Sequence, residues 1–306
     1  MAGGVINTGS HPKLLWPGVQ EIWGQVYDAH PVEYTDLYEV TSSRKAYEQD
    51  VQVTGFGLAP VKGQGAPIEY DSELQGWVTT YAHVAYALGY IVTHEELEDN
   101  LYAEVSHRRA RANAFSIAQT PENVGAFLYN NAFVGTFYTT PDGQPIISNA
   151  HVNATGGNFS NQLTPGADLS EVALEDMTIK IMKTVMDRGL KISVMPESLH
   201  IAPDEWYNAN RILKSVLQND TANNAINVLK ATNALPKGIK MNHYFNSPNA
   251  WFVRTNVPAG MKFFWREKPK FQQDNDFSTK NALAATYMRF SVGITDPRGL
   301  FGSNGP

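Results

Sequence analysis

The residues that most invite a chemical reading are His94-Glu95-Glu96-Leu97-Glu98, which begin like the metal-binding helix of a zinc protease. That chemistry needs a second histidine four residues after the first, so that both imidazoles reach one ion from one helix face. Position 98 is glutamate, and the reading fails. Of the eight histidines the nearest pair in sequence is His83 and His94, too far apart for a local metal motif, so no metal or cofactor is expected. Gly55-Phe-Gly57 could open a dinucleotide-binding turn, but the third glycine of that fingerprint would fall on Pro60, and no helix follows to face a pyrophosphate. Lys62 is not followed by Ser or Thr as in a phosphate-binding loop, and no Gly-x-Ser-x-Gly elbow is present. A Ser, His and Asp assembled from distant positions stays open. The densest positive run is His107-Arg108-Arg109-Ala110-Arg111. On a helix Arg108 and Arg111 share a face and Arg109 points elsewhere, so the run can meet nucleic-acid phosphates or carboxylates of the same or an adjacent subunit.

Composition narrows the classes. A net charge of -6 and a pI near 5.8 argue against a protein held broadly to phosphate, so any nucleic-acid contact should be local. Cysteine is absent, which removes disulfides, thiolate metal sites and cysteine nucleophiles together. The first residues carry no basic stretch followed by an apolar core, and no apolar run approaches the roughly 20 residues of a membrane span. The expectation is a protein made and kept in a cytoplasm, without membrane contact, whose sequons at Asn153, Asn158 and Asn219 carry no glycan. Only 18% of residues are charged, and neutral polar residues fill the difference, a surface suited to packing against other subunits. A chain of 306 residues can form one large domain or two modest ones.

Several elements can be placed. Residues 1–45 are interrupted by Pro12, Pro17 and Pro31 and predict an extended arm with at most a short helix. Alternation at Val51 and Val53, and again at Trp77, Thr79 and Tyr81, predicts two strands. Between them, Gly55, Gly57, Gly63 and Gly65 with Pro60 and Pro67 make a poor core and a good protruding tip that also carries Lys62. Such a hairpin exposes its edges unless another subunit covers them. Thr93 and Glu96 form a capping box that starts a long helix, with acidic residues at its positive end and an apolar stripe running to about Ala118. Thr120-Pro121 then gives a kink or a fresh start. A second helix is expected over 169–188, terminated by Gly189, followed by strands near 190–195 and 199–202 and a helix opened by Pro203. The Asn-rich stretch 219–233 predicts a loop. From residue 251 onward strand signals return, and three or four antiparallel strands are expected to cover the long helix. The fold class is therefore α+β, with a mixed domain inserted into a discontinuous one.

The C-terminal run carries a resemblance. Asn249-Ala-Trp-Phe-Val-Arg254, Lys262-Phe-Phe-Trp-Arg-Glu-Lys-Pro269 and Arg289-Phe-Ser-Val-Gly-Ile-Thr-Asp-Pro-Arg-Gly-Leu-Phe-Gly302 resemble the major head protein of tailed phages with the Hong Kong 97 fold, most closely the Mu-type head subunit group. Gly89-Tyr-Ile-Val-Thr-His-Glu-Glu-Leu-Glu-Asp-Asn-Leu-Tyr102 looks like the start of that family's spine helix, and Pro203-Asp-Glu-Trp206 through Leu213-Lys-Ser215 like a helix of its axial domain. The resemblance runs from about residue 45 to the end, and order and spacing carry it more than any one motif.

The resemblance implies an N-arm over 1–45, an E-loop over 46–80, a P-domain with the spine helix over 81–138, an A-domain over 139–249, and a second P-domain part with the C-terminal strands over 250–306. It implies a capsid protein that is no enzyme and self-assembles as hexamers and pentamers into an icosahedral shell around double-stranded DNA. Assembly would occur in the host cytoplasm, and the product would be the virion capsid. Inter-subunit contacts are expected at Gly55, Gly57, Lys62, Gly63 and Gly65 of the E-loop, with subunit or packaged-DNA contacts at Arg108, Arg109 and Arg111. The short segment before the E-loop implies a separate scaffolding protein, and portal and decoration proteins are further implied partners. Some relatives form Lys to Asn crosslinks, for which Lys62 is a candidate donor without an assigned acceptor. The alternatives are a nanocompartment shell of the same fold with protein cargo, and an enzyme with a dispersed carboxylate site in the mixed domain.

Overall fold

The computed structural model describes residues 16–98, 102–218, 225–276 and 278–305. The first fifteen residues of the expected arm and positions 219–224 of the Asn-rich stretch lie outside them. Helix α1 (Trp16–Ala29) and the short α2 (Tyr34–Leu37) lead into strand β1 (Glu39–Ser42). Strands β2 (Tyr47–Val53) and β3 (Gln75–Ala82) form a hairpin, and β4 (Val84–Val92) follows after His83 alone. Helices α3 (His94–Glu98) and α4 (Tyr102–Asn130) precede the short strands β5 (His151–Val152) and β6 (Asn158–Phe159). Helix α5 (Glu171–Met182), strand β7 (Pro196–Ile201), helices α6 (Trp206–Lys214) and α7 (Val228–Ala231) and strand β8 (Ile239–Met241) come next. Strands β9 (Ala250–Thr255), β10 (Met261–Asn275), β11 (Ala282–Ile294) and β12 (Leu300–Asn304) complete the chain.

Two four-stranded sheets organise the molecule, in the orders β1-β10-β11-β4 and β12-β9-β7-β8. In the first, β10 and β11 pair antiparallel, with Phe263 opposite Val292 and Trp265 opposite Phe290, and β1 joins β10 in parallel. Met261, Phe263 and Trp265 alternate with more exposed neighbours, so one sheet face is apolar and must be covered. Helices α1 and α4 cover it. Val19 and Trp23 of α1 and Ala110, Ala114, Ile117 and Tyr129 of α4 join Phe263, Trp265 and Phe290 in one core cluster. Each fully buried large side chain contributes about 1.5–3 kcal/mol by removal from water.

The second sheet buries its other cluster against α5 and α6, through Leu174, Met177, Ile181, Leu199, Ala209 and Ile212. Strand β9 links the two cores. Its Phe252 belongs to the first cluster, while Trp251 and Val253 belong to the second, as alternation across a strand requires.

The structure corrects several expectations. The predicted arm contains a fourteen-residue helix, α1, packed on the chain's own α4, because Val19, Trp23, Val26 and Tyr27 fall at helical spacing among the aromatics and charges. The long helix does not stop near residue 118; α4 continues through Pro121 to Asn130. Pro121 cannot donate to the carbonyl four residues back, but Thr120 Oγ1 donates to the Ser116 carbonyl at 2.9 Å and Asn123 Nδ2 to that of Gln119 at 2.8 Å. The expected helix over 169–188 ends at Met182, and Gly189 sits instead in a tight turn, at φ +75°, closed by a Gly189 N–H bond to the Met186 carbonyl at 2.9 Å. The strand near 190–195 reduces to a single Val185–Lys191 bridge. Of the late strands β10 and β11 belong to the sheet that lies over the long helix, and β9 reaches that helix only through Phe252, whose ring meets Tyr129 at 5.2 Å. Strand β9 is buried on both faces and needs cover on both sides, so it takes a central place in the second sheet with β12 beside it. Within 225–233 the expected loop contains α7, capped by Asn227 Oδ1 accepting from Lys230 N at 3.2 Å.

Candidate assembly surface

The hairpin extends from the first sheet where His83 separates β3 from β4. At this root Ser43 Oγ donates to Glu48 Oε1 at 2.7 Å, which leaves its lone pair to accept from His83 Nε2 at 3.1 Å. His83 Nδ1 then accepts from Ser291 Oγ at 3.0 Å, and burial together with nearby Arg289 holds the imidazole below its usual pKa. Further out, Lys262 Nζ reaches Asp50 Oδ2 at 2.6 Å, Thr295 Oγ1 donates to the same oxygen at 2.9 Å, and Tyr81 OH donates to Thr295 at 2.5 Å. Gly293 makes this root possible, since a Cβ there would meet Tyr138 Oη at 2.7 Å and Tyr81 Cε1 at 2.8 Å.

Beyond Val53 the backbone between the strands is irregular. Gly55 and Gly65 adopt φ +66° and +82°, the left-handed region that glycine enters without strain. Gly63 closes a turn by accepting from Ala66 N at 3.1 Å, and Gly57 N donates to Asp71 Oδ2 at 2.7 Å. Lys62 is exposed and makes no ion pair among the described residues. The tip also displays apolar side chains: Leu58 is 82% exposed, Tyr70 94% and Val61 fully so, with Phe56 and Ile68 beside them. Together these side chains leave an apolar surface open to solvent.

The three arginines of α4 separate as the helical spacing predicts. Arg109 grips Glu96 with two bonds, at 2.9 and 3.0 Å, and donates to the Ile91 carbonyl at 2.7 Å. Its partner is therefore a carboxylate of its own chain. The Glu96 carboxyl is held below its usual pKa chiefly by that guanidinium. Thr93 and Glu96 also exchange the reciprocal capping-box bonds, at 3.3 and 3.4 Å. Arg108 and Arg111 are exposed on the opposite face, in line with the exposed Phe115.

Ion pairs between residues far apart in sequence add what no motif indicated. Buried Arg298 donates to Asp187 Oδ1 at 2.8 Å, to Asn153 Oδ1 at 2.7 Å and to the Val185 carbonyl at 3.0 Å, with its guanidinium 4.3 Å from the Phe159 ring centre. Asp187 in turn accepts from Gln52 Nε2 on the hairpin at 3.1 Å. Arg188 holds Asp71 Oδ2 at 2.5 Å and the Ser72 carbonyl at 2.6 Å.

Two contacts look hydrolase-like and differ in detail. His151 Nδ1 meets Asp142 Oδ2 at 2.7 Å, but Nε2 faces the Ile146 carbonyl at 3.2 Å where a nucleophile would have to stand. Burial alone would raise the Asp142 carboxyl, yet the bonds from His151 and Thr140 outweigh it and leave the group below its usual pKa. Ser198 Oγ lies 2.8 Å from His200 Nε2, but His200 is wholly buried, and burial pushes its imidazole well below the usual pKa. Two small cavities hold about 10 Å³ each, and three wider clefts of 370–440 Å³ lie at the surface. No group of three or more His, Asp or Glu among the described residues could hold a metal, and no described helix is long and apolar enough to cross a membrane.

No curated protein matches the chain. Among solved structures, the mycobacterium phage Patience chain has a TM-score of 0.54 at 10% identity, covering 98% of this chain and 89% of its own. The virus-like particle from Pyrococcus furiosus gives 0.53 at 10% identity, with 94% and 99% covered. The procapsid of bacteriophage JBD30 gives 0.51 at 14% identity, with 98% and 77% covered. At these identities the likeness shows the fold, a mixed α and β arrangement of the Hong Kong 97 kind. The family described as phage capsid protein matches residues 77–302, about three-quarters of the chain, and the chain belongs to that family.

Proposed function

We propose that this chain is a major head subunit of a tailed phage, closest to the Mu-type group, that builds hexamers and pentamers of an icosahedral shell around double-stranded DNA. The observation that carries this reading is the hairpin. It adds no residue to either large core cluster, yet it presents Phe56, Leu58, Val61, Ile68 and Tyr70 to solvent. A protruding element of this kind gains burial only against another copy, and in a closed symmetric assembly that contact repeats at every subunit. Weak interfaces then sum over the shell.

Residues 1–45 are the N-arm in this reading and 46–80 the E-loop, carrying Gly55, Gly57, Lys62, Gly63 and Gly65 to the neighbour. Residues 81–138 and 250–306 form the P-domain and 139–249 the A-domain, with β9 and β12 completing the A-domain's sheet. Arg108 and Arg111 face a neighbouring subunit or packaged DNA, whereas Arg109 is engaged by Glu96. A separate scaffolding protein, a portal and decoration proteins are the further partners, assembly takes place in the host cytoplasm, and the role is structural without catalysis. A second reading is a shell of the same fold around protein cargo, and the virus-like particle from Pyrococcus furiosus shares the fold. DNA in purified particles separates the two.

Deleting residues 55–65 tests the hairpin's part. The expected result is a soluble, folded subunit that fails to close shells, seen by sedimentation and negative-stain microscopy. Normal shells from the deletion would contradict it.

A further inference from the structure

The contacts that hold the hairpin to its own subunit change character along its length. Near the root the Asp50–Lys262 pair is mostly shielded, and the Asp187–Arg298 pair that receives Gln52 is buried. At the base of the tip the Asp71–Arg188 pair is the most open of the three, with Asp71 47% exposed. Buried ion pairs leave an uncompensated charge when one partner departs, whereas open ones exchange readily with water and are screened by salt. The root is therefore fixed and the tip can let go. Four bonds converge on the outer contact: Asp71 accepts from Gly57 N, Ser72 N and Arg188, and Arg188 also donates to the Ser72 carbonyl. Arg188 stands in the tight turn that ends at Gly189 and the Val185–Lys191 bridge, so its guanidinium is presented from a compact platform.

We infer that the Asp71–Arg188 contact is a latch, which parks the hairpin tip on the subunit's own 183–191 turn and releases it when a neighbouring copy takes the apolar side chains. The inference rests on the assembly reading for its purpose but not for its existence. Closed, the latch fixes the direction in which Leu58 and Tyr70 are displayed. Open, the tip pivots about a root still held by Asp50, Lys262 and Gln52. The Asp71 carboxyl lies below its usual pKa, first through the Gly57 N–H and then through Arg188, so the latch stays charged at neutral pH.

Amide hydrogen exchange on the full-length unassembled subunit tests this, comparing wild type with Arg188→Gln and Asp71→Asn. Each variant should raise exchange over residues 57–74 by about fivefold, leave β4 and β11 unchanged, and abolish the increase that high salt causes in wild type. Unchanged exchange over 57–74 in both variants, or a salt response that persists in them, overturns the latch. Light-scattering assembly of the same samples tests its purpose: released variants should assemble faster than wild type, and equal or slower assembly overturns that role. If exchange rises while wild type forms no particle under any condition, the latch stands and the assembly reading falls.

Discussion

At Glu122 burial and hydrogen bonding pull in opposite directions. Its two oxygens accept the N–H groups of Glu33 and Tyr34, at 2.9 and 2.8 Å, at the start of α2, which favours the carboxylate. Burial next to Glu33 and Asp36 prevails and raises its pKa to about 7 from 4.5. A raised carboxyl stabilises the fold below its unfolded value and loses that contribution as pH rises through the folded value, so the loss spans roughly pH 4.5 to 7. Glu122→Gln cannot ionise. Its melting temperature should therefore gain on wild type as pH rises from about 4.5 to about 7 and hold a constant lead above that, whereas a constant difference over the whole range would show that folding does not raise the Glu122 pKa. None of this was legible in the sequence, where Glu122 reads as one more acidic residue near a proline. Asp187 and Arg298 are 111 residues apart, Asp50 and Lys262 212 apart, and no local pattern pairs them. A local pattern suffices at Thr93 and Glu96, which cap as their spacing requires.

Elements were legible where their period was clean and unbroken. Strands β10 and β11 follow from alternating Phe, Trp and Val, and the hairpin from its glycines and prolines. The run of α4 past Pro121 was legible only as one of two alternatives, a kink or a fresh start, because a proline weakens a helix locally while packing decides globally. Pro121 and Glu122 are buried, and Leu128 and Tyr129 reach the core only if the helix continues. Gly189 illustrates the reverse case: it suits a helix end and a tight turn equally, and tertiary contacts chose the turn. The outer face of α4 presents Arg108, Arg111 and Phe115 without intramolecular ion pairs for either arginine among the described residues. Replacing Arg108 and Arg111 together by Glu should leave the fold intact within about 1 kcal/mol, as for exposed charges. Loss of particles would assign them to a neighbouring subunit. Intact particles with less nucleic acid, measured by absorbance ratio, would assign them to DNA.

For the whole molecule, family membership, two sheets whose cores meet at β9, and a hairpin tip with exposed apolar side chains point the same way. The mixed α and β class was legible because it depends on many weak local signals in sequence. The pairing of β9 with β7 was not, since it depends on which face of a doubly buried strand finds which partner. Electron microscopy of the purified full-length protein, expressed with and without a candidate scaffold, addresses the central claim most directly. The account predicts closed icosahedral shells or partial shells built of rings of this subunit. A monodisperse monomer under every assembly condition would contradict it.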